Sequence, residues 1–228
     1  MSPDCQNRTD VYRVMDWYHI LALVAFVACC GMFLGHFIHL IRLGMPKDKA
    51  KAQGKTAAGI RYAYINSMMP QHKESAYLHL PTYTAGIIYH LGTFLSLLLL
   101  LYSLINIYIG WAMPEVFRWI IGACLLISTL FGLGVLIKRL VKQELRSFSN
   151  PDDYISNGLT TLFQAITALF ITFPHIPAIE MVYFILAVLF LVWFPLGKTR
   201  HILYFFFARL HLGYFYGRRG TWPEKSKL

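Results

Sequence analysis

Nine histidines are the side chains in this sequence best suited to chemistry, and their surroundings sort them. His72 lies in a polar stretch and His175 within Pro174-His175-Ile176-Pro177; both read as ordinary exposed residues. His19 follows Trp17 and Tyr18 at the edge of an apolar run and reads as interfacial. His79 stands just before Pro81, and His211 among aromatic and basic residues near the C-terminus. The remaining four, His36, His39, His90 and His201, stand within apolar runs or at their ends. An ionisable group at such a place is costly and marks a functional site by default. Neutral imidazoles on facing helices can supply the two axial nitrogens of a haem b without burying net charge. Arg42, Lys198 and Arg200 stand at the same level and can pair with its propionates. Histidines bonded to neighbouring helices or to lipid headgroups are the competing reading. The cysteines, Cys5, Cys29, Cys30 and Cys124, form no C-x-x-C pair and are read as small apolar residues.

Five apolar runs must position these side chains: 17–43, 84–111, 116–137, 154–173 and 179–197. Each approaches or exceeds the roughly 20 residues that a helix needs to cross about 30 Å of hydrocarbon. Composition agrees. Only 14% of residues are charged and the mean hydropathy is +0.50, whereas a soluble domain carries about a quarter charged residues. The net charge of +10 is not a nucleic-acid footprint, because of where it sits. Of 21 Lys and Arg, seven fall in 42–84, four in 138–157 and seven in 198–228. That alternation puts the N-terminus outside and the C-terminus in the cytoplasm by the positive-inside rule. The expectation is an all-α integral membrane protein of the cytoplasmic membrane of a prokaryote, a five-helix up-down bundle followed by an amphipathic interfacial helix. Residues 1–197 form the bundle, with a cytoplasmic loop at 44–83, and 198–228 form the amphipathic helix and tail. The first 16 residues carry three Asp and two Arg without a basic lead-in, so the first run reads as a retained helix, not a cleaved signal.

The connections are uneven. Short links at 112–115 and 174–178 make their flanking helices antiparallel neighbours. The loop 44–83 is broken by Pro46, Gly54, Pro70 and Pro81 and suits either docking of a partner or a solvated tether. In the fourth run Thr160, Gln164 and Thr167 share one face, which turns inward to meet a cofactor or to bond neighbouring helices. The stretch 198–217 mixes Phe and Tyr with Arg and His, is too charged for a sixth span and reads as an interfacial helix. The tail from Arg218 reads as the end of the ordered part.

Two segments resemble a known family: Thr84-Ala85-Gly86-Ile87-Ile88-Tyr89-His90-Leu91-Gly92 and Phe194-Pro195-Leu196-Gly197-Lys198-Thr199-Arg200-His201. They are similar to the cytochrome b gamma subunit of respiratory nitrate reductase and to its relatives in heterodisulfide-reductase-like and sulfate-reducer transmembrane redox complexes. The resemblance covers helices 2 to 5. It implies that His90 and His201 are the axial ligands of one haem b near the cytoplasmic side. Positions matching the ligands of the family's second haem hold Leu100 and Tyr183, so the outer haem is not implied. His36 and His39 have no counterpart in the family pattern; they can line a quinone site, replace a ligand or help hold a second haem.

The expected function is a haem b subunit relaying electrons between a menaquinone-type quinone and a cytoplasmic iron–sulfur partner subunit, with other membrane subunits allowed for. The chain is then an electron-transfer subunit, not a stand-alone enzyme. The alternatives are a haem-free membrane anchor or assembly subunit and, third, a small proton-coupled transporter. For the quinone site, His36, His39 and Tyr89 are the inner candidates and His19, Glu180 and Tyr183 the outer ones.

Overall fold

The computed structural model describes residues 15–45, 47–72 and 77–223, so Cys5 and the N-terminal stretch lie outside the described residues. Among the described residues every regular element is helical: α1 (Trp17–Leu43), α2 (Thr56–Tyr64), α3 (Leu80–Ile109), α4 (Glu115–Val141), α5 (Gln143–Ser147), α6 (Pro151–Thr172), α7 (Pro177–Trp193) and α8 (His201–Arg218). Short 3-10 turns flank α2, α3 and α8. Four helices, α1, α3, α4 and α6, are long and apolar enough to cross a membrane; α7 reaches that standard only when taken together with the chain after it. Their outward faces suit lipid, with Trp17, Val24, Val27, Leu98, Val116, Leu130 and Val141 all exposed.

Local chemistry sets the helix ends. Gly44 and Gly110 follow α1 and α3 with φ of 69° and 71°, a left-handed turn that glycine adopts without a Cβ penalty. Pro114 precedes α4 and Pro177 opens α7, where a missing N–H costs nothing. α6 begins with a reciprocal cap. The Asn150 side chain accepts from the Asp153 amide at 3.0 Å, and the Asp153 carboxylate accepts from the Asn150 amide at 3.0 Å. Arg139 and Lys198 both reach that carboxylate, which is buried.

The chain groups into two compact units, residues 1–30 with 84–198 and residues 31–83 with 199–228. In the first, α6 packs along α4 and α7. The α6–α7 seam is aromatic: Phe163 stacks on Phe190 at 4.6 Å and Phe170 on Tyr183 at 4.3 Å. Small residues admit the neighbouring helices. A Cβ on Gly92 would strike Ser128, one on Gly122 would strike Thr172, and one on Gly132 would strike the Tyr89 ring.

The second unit revises two expectations. The loop 44–83 is not a solvated tether, because α2 packs along α8. Gly59 lies against the backbone at Gly213 and Gly217, and Gly54 against Gly217 and Gly220, so both contacts are backbone on backbone. The amides of Gln53 and Gly54 donate to the Arg218 carbonyl at 2.9 and 3.1 Å, and Tyr64 donates to the Phe206 carbonyl. Nor does order stop at Arg218. Arg219 grips Asp48 at 3.1 and 3.2 Å, and Trp222 lies against Tyr62 and Tyr216.

Candidate functional site

His90 stands on α3, and its turn of helix is held from several directions. Its Nδ1–H donates to the Gly86 carbonyl at 2.6 Å, since a carbonyl only accepts. That bond fixes the tautomer in which Nε2 carries the ring lone pair, the arrangement common to metal-bound histidines. The preceding residue, Tyr89, is buried and anchored at both ends. Its hydroxyl donates to the Asn157 carbonyl at 3.0 Å and accepts from Thr161 at 3.2 Å. Its carbonyl receives Thr93 Oγ1 at 2.8 Å and Gln164 Nε2 at 3.1 Å. Gln164 is fully buried; it also donates to Thr93 and accepts from Ser128 at 2.8 Å. A glutamine on α6 thereby clamps the turn of α3 that bears His90.

The inward-facing stripe of α6 is found as expected, with Thr160, Gln164 and Thr167 all buried. Its hydrogen bonds are internal to the protein: Thr160 and Thr167 donate one turn back to Ser156 and Phe163, and Gln164 joins the network above. Tyr89, a quinone candidate on the sequence, is likewise held by protein partners.

His201 is the first residue of α8 and is exposed. Of the pair on α1, His36 meets Tyr204 of α8, its Nδ1 3.4 Å from the phenol oxygen, while Phe37 packs edge-on against Phe207. His39, on the same side of the helix, is exposed. The three basic residues differ. Arg42 is exposed in the last turn of α1, Arg200 lies 6.0 Å over the Tyr204 ring, and Lys198 is committed to Asp153.

The feature missed on the sequence lies at the other end of α1. His19 is only 1% exposed, packed within the protein at the start of α1, and Glu180 of α7 is also buried. The Asp16 amide donates to His19 Nδ1 at 3.1 Å, so Nδ1 bears no proton and Nε2–H faces Glu180 Oε1 at 3.2 Å. The ring packs edge-on against Phe184 at 4.6 Å, and Tyr18 stacks on the same phenyl group. The signal was available: runs one and five each carry a single ionisable residue near the same end of an antiparallel bundle, where such groups pair. Tyr183 is completely buried against Phe170, and Cys29 is buried while Cys30 and Cys124 are exposed.

Among the described residues no group of three or more His, Cys, Asp and Glu side chains is arranged to hold a metal ion. No family model, no curated protein and no solved structure matches this chain.

Proposed function

We propose that this chain is a haem b subunit of a membrane redox complex, passing electrons between a quinone in the bilayer and an iron–sulfur partner on the cytoplasmic face. The observation that carries the reading is His90: an imidazole on a membrane-length helix, its tautomer held by the Gly86 carbonyl and its helical turn clamped by Gln164. A Cβ on Gly86, one turn before it, would meet nothing within 4 Å, so the helix face beside the ring is open there. His90 is therefore a fitting axial donor, with His201 as the second donor by family resemblance.

When bound, haem supplies one-electron transfer. The residues present would hold it, keep His90 in the right tautomer and neutralise its propionates with Arg42 and Arg200. Lys198 is a weaker candidate for that last role, since Asp153 already takes its charge. Quinone is the substrate this reading requires, and the chain's lack of iron–sulfur ligands requires the partner.

The proposed architecture has five crossings with the loop and tail in the cytoplasm. Support comes from the second unit. The α2 segment packs on α8, so both lie on one side of any membrane and an even number of crossings separates them. The helices α3, α4, α6 and α7 supply four.

Purified protein should show a reduced b-type spectrum and about one haem per chain by the pyridine haemochrome assay, with His90→Ala abolishing the spectrum. A protein without such a spectrum, or one in which neither His90→Ala nor His201→Ala alters it, ends the proposal. A haem-free anchor is the second reading. It is favoured by the finding that the α6 stripe and His19 are satisfied by protein partners, and a haem-free complex that retains its iron–sulfur subunit would establish it.

A further inference from the structure

We infer that the lysine-rich segment 47–55, held against the end of α8, is a binding surface for the headgroups of anionic phospholipids. The inference goes beyond the redox reading and stands whether or not the chain holds haem.

Charge is divided unevenly between the two units. Residues 31–83 and 199–228 carry 13 Lys and Arg against three Asp and Glu, whereas residues 1–30 and 84–198 carry eight of each. The whole surplus of +10 therefore belongs to the second unit. The rule that places basic residues in cytoplasmic loops does not by itself require this. The connection 138–153 sets Glu144, Asp152 and Asp153 against its four Lys and Arg, and Asp153 takes up both Arg139 and Lys198.

In the lysine segment the opposite holds. Its one carboxylate, Asp48, is turned away from solvent: the side chain is 5% exposed, and Arg219 Nε and Nη2 donate to it at 3.1 and 3.2 Å. Arg218 Nη2 donates to the Ala50 carbonyl at 3.2 Å, and the Gln53 and Gly54 amides donate to the Arg218 carbonyl. The segment is thus pinned at positions 48, 50, 53 and 54. Lys47, Lys49, Lys51 and Lys55 are exposed and form no ion pair with any described residue. Four positive charges stand on one short, fixed stretch whose only carboxylate is already engaged.

Two points select the ligand. Lys47 comes four residues after Leu43, the end of a helix long and apolar enough to cross a membrane. Four residues span at most about 14 Å, so a lysine side chain reaches the phosphate layer from there, where each basic residue adds to the attraction for anionic lipid. Lysine is also a flexible, strongly hydrated point charge that suits a fluid layer of phosphates. Protein–protein interfaces are depleted in it and favour arginine and aromatic anchors.

The test uses full-length protein reconstituted in phosphatidylcholine bilayers. EPR of spin-labelled phosphatidylglycerol and phosphatidylcholine gives the preference of the protein surface for the anionic lipid, and circular dichroism checks the fold. Wild type should prefer phosphatidylglycerol at least about fivefold at low salt, and ~0.5 M NaCl should remove about half of that preference or more. Lys47→Gln, Lys49→Gln, Lys51→Gln and Lys55→Gln together should bring the ratio within about twofold of unity. Lys138→Gln with Lys142→Gln should leave at least about half of the preference. Should the quadruple variant fail to accumulate, Lys47→Gln with Lys49→Gln and Lys51→Gln with Lys55→Gln carry the test, each pair removing part of the preference. Replacing chloride by inorganic phosphate at equal ionic strength should leave wild type unchanged. Abolition of the preference by phosphate would show a site for the free anion and overturn the lipid assignment. No preference in wild type, or one that the lysine variants keep, overturns it as well. A kept preference together with loss of a co-purifying acidic protein would give the surface to a protein partner instead.

Discussion

His19 accepts from the Asp16 amide and donates to Glu180, so one ring both caps α1 and ties it to α7. Gln164 plays a comparable part between α6 and α3, but the two should differ in weight. Replacing Gln164 by Leu removes bonds between neutral groups. Ser128 and Thr93 keep other acceptors in the Ile88 and Tyr89 carbonyls, so few polar atoms are orphaned. The expected loss is about 1 kcal/mol, in line with interhelical hydrogen bonds in membranes. His19→Leu instead takes a hydrogen-bond donor from the buried Glu180 carboxyl group, and a bond to such a group contributes roughly 1.5–3 kcal/mol. Thermal unfolding in detergent should therefore rank His19→Leu well below Gln164→Leu. Equal midpoints for the two would show that Glu180 does not depend on His19. The side chains whose identity was informative in the sequence were those placed in apolar runs. His19 and Glu180 were named together as outer quinone candidates, but their direct bond was not foreseen, because the two lie 161 residues apart and only their shared end of the bundle pointed to it.

At the scale of elements, the long helices were readable and the short one was not. α1 coincides with its apolar run at both ends, Trp17 and Leu43, because hydropathy and the Gly44 turn agree there. α6 begins three residues before its run, at Pro151, since a polar reciprocal cap is invisible to hydropathy. The nine-residue α2 could not be foreseen. Isolated helices of that length are marginal in water, and this one owes its place to backbone contact with glycines some 150 residues later. Those contacts predict a specific vulnerability. Gly59→Val would drive a branched side chain into the backbone at Gly213 and Gly217, which cannot step aside. Amides of residues 53–64 should then lose hydrogen-exchange protection at neutral pH while α3, α4 and α6 keep theirs. Acid acts on the same module through Asp48. The Arg219 guanidinium bonded to it, helped by the Ala50 amide, holds its carboxyl below the usual range. A depressed carboxyl contributes stability above its unfolded value, near 4, and loses it as pH falls through the lower folded value. Protection of this segment in wild type should therefore stay level from neutral pH down to about 4 and decline only below that. A decline already under way near pH 6 would assign the transition to a histidine and not to Asp48.

For the whole molecule, the decisive quantity is the parity of crossings, and it turns on α7. That helix has 17 residues, about 26 Å at 1.5 Å per residue, slightly short of the roughly 30 Å core. Hydropathy alone cannot say whether so short a helix crosses. On the proposed five-crossing topology, the contacts within the second unit are what hydropathy must be combined with. Gln53 and Gly54 donate to the Arg218 carbonyl and Asp48 binds Arg219, so the chain just after α1 and the chain after α8 share one side. If α7 did not cross, three spans would separate them and these contacts could not form. Glu180 near the start of α7, bonded to His19 near the start of α1, makes the same demand from the opposite end. Single cysteines at Lys51, Ala112, His175 and Thr221, in a background with the four native cysteines replaced by serine, can be labelled in intact cells with a membrane-impermeant maleimide. Ala112 and His175 should react from outside, and Lys51 and Thr221 only after the cells are opened. His175 shielded together with Lys51 would mean that α7 begins on the cytoplasmic side, and the proposed five crossings could not stand.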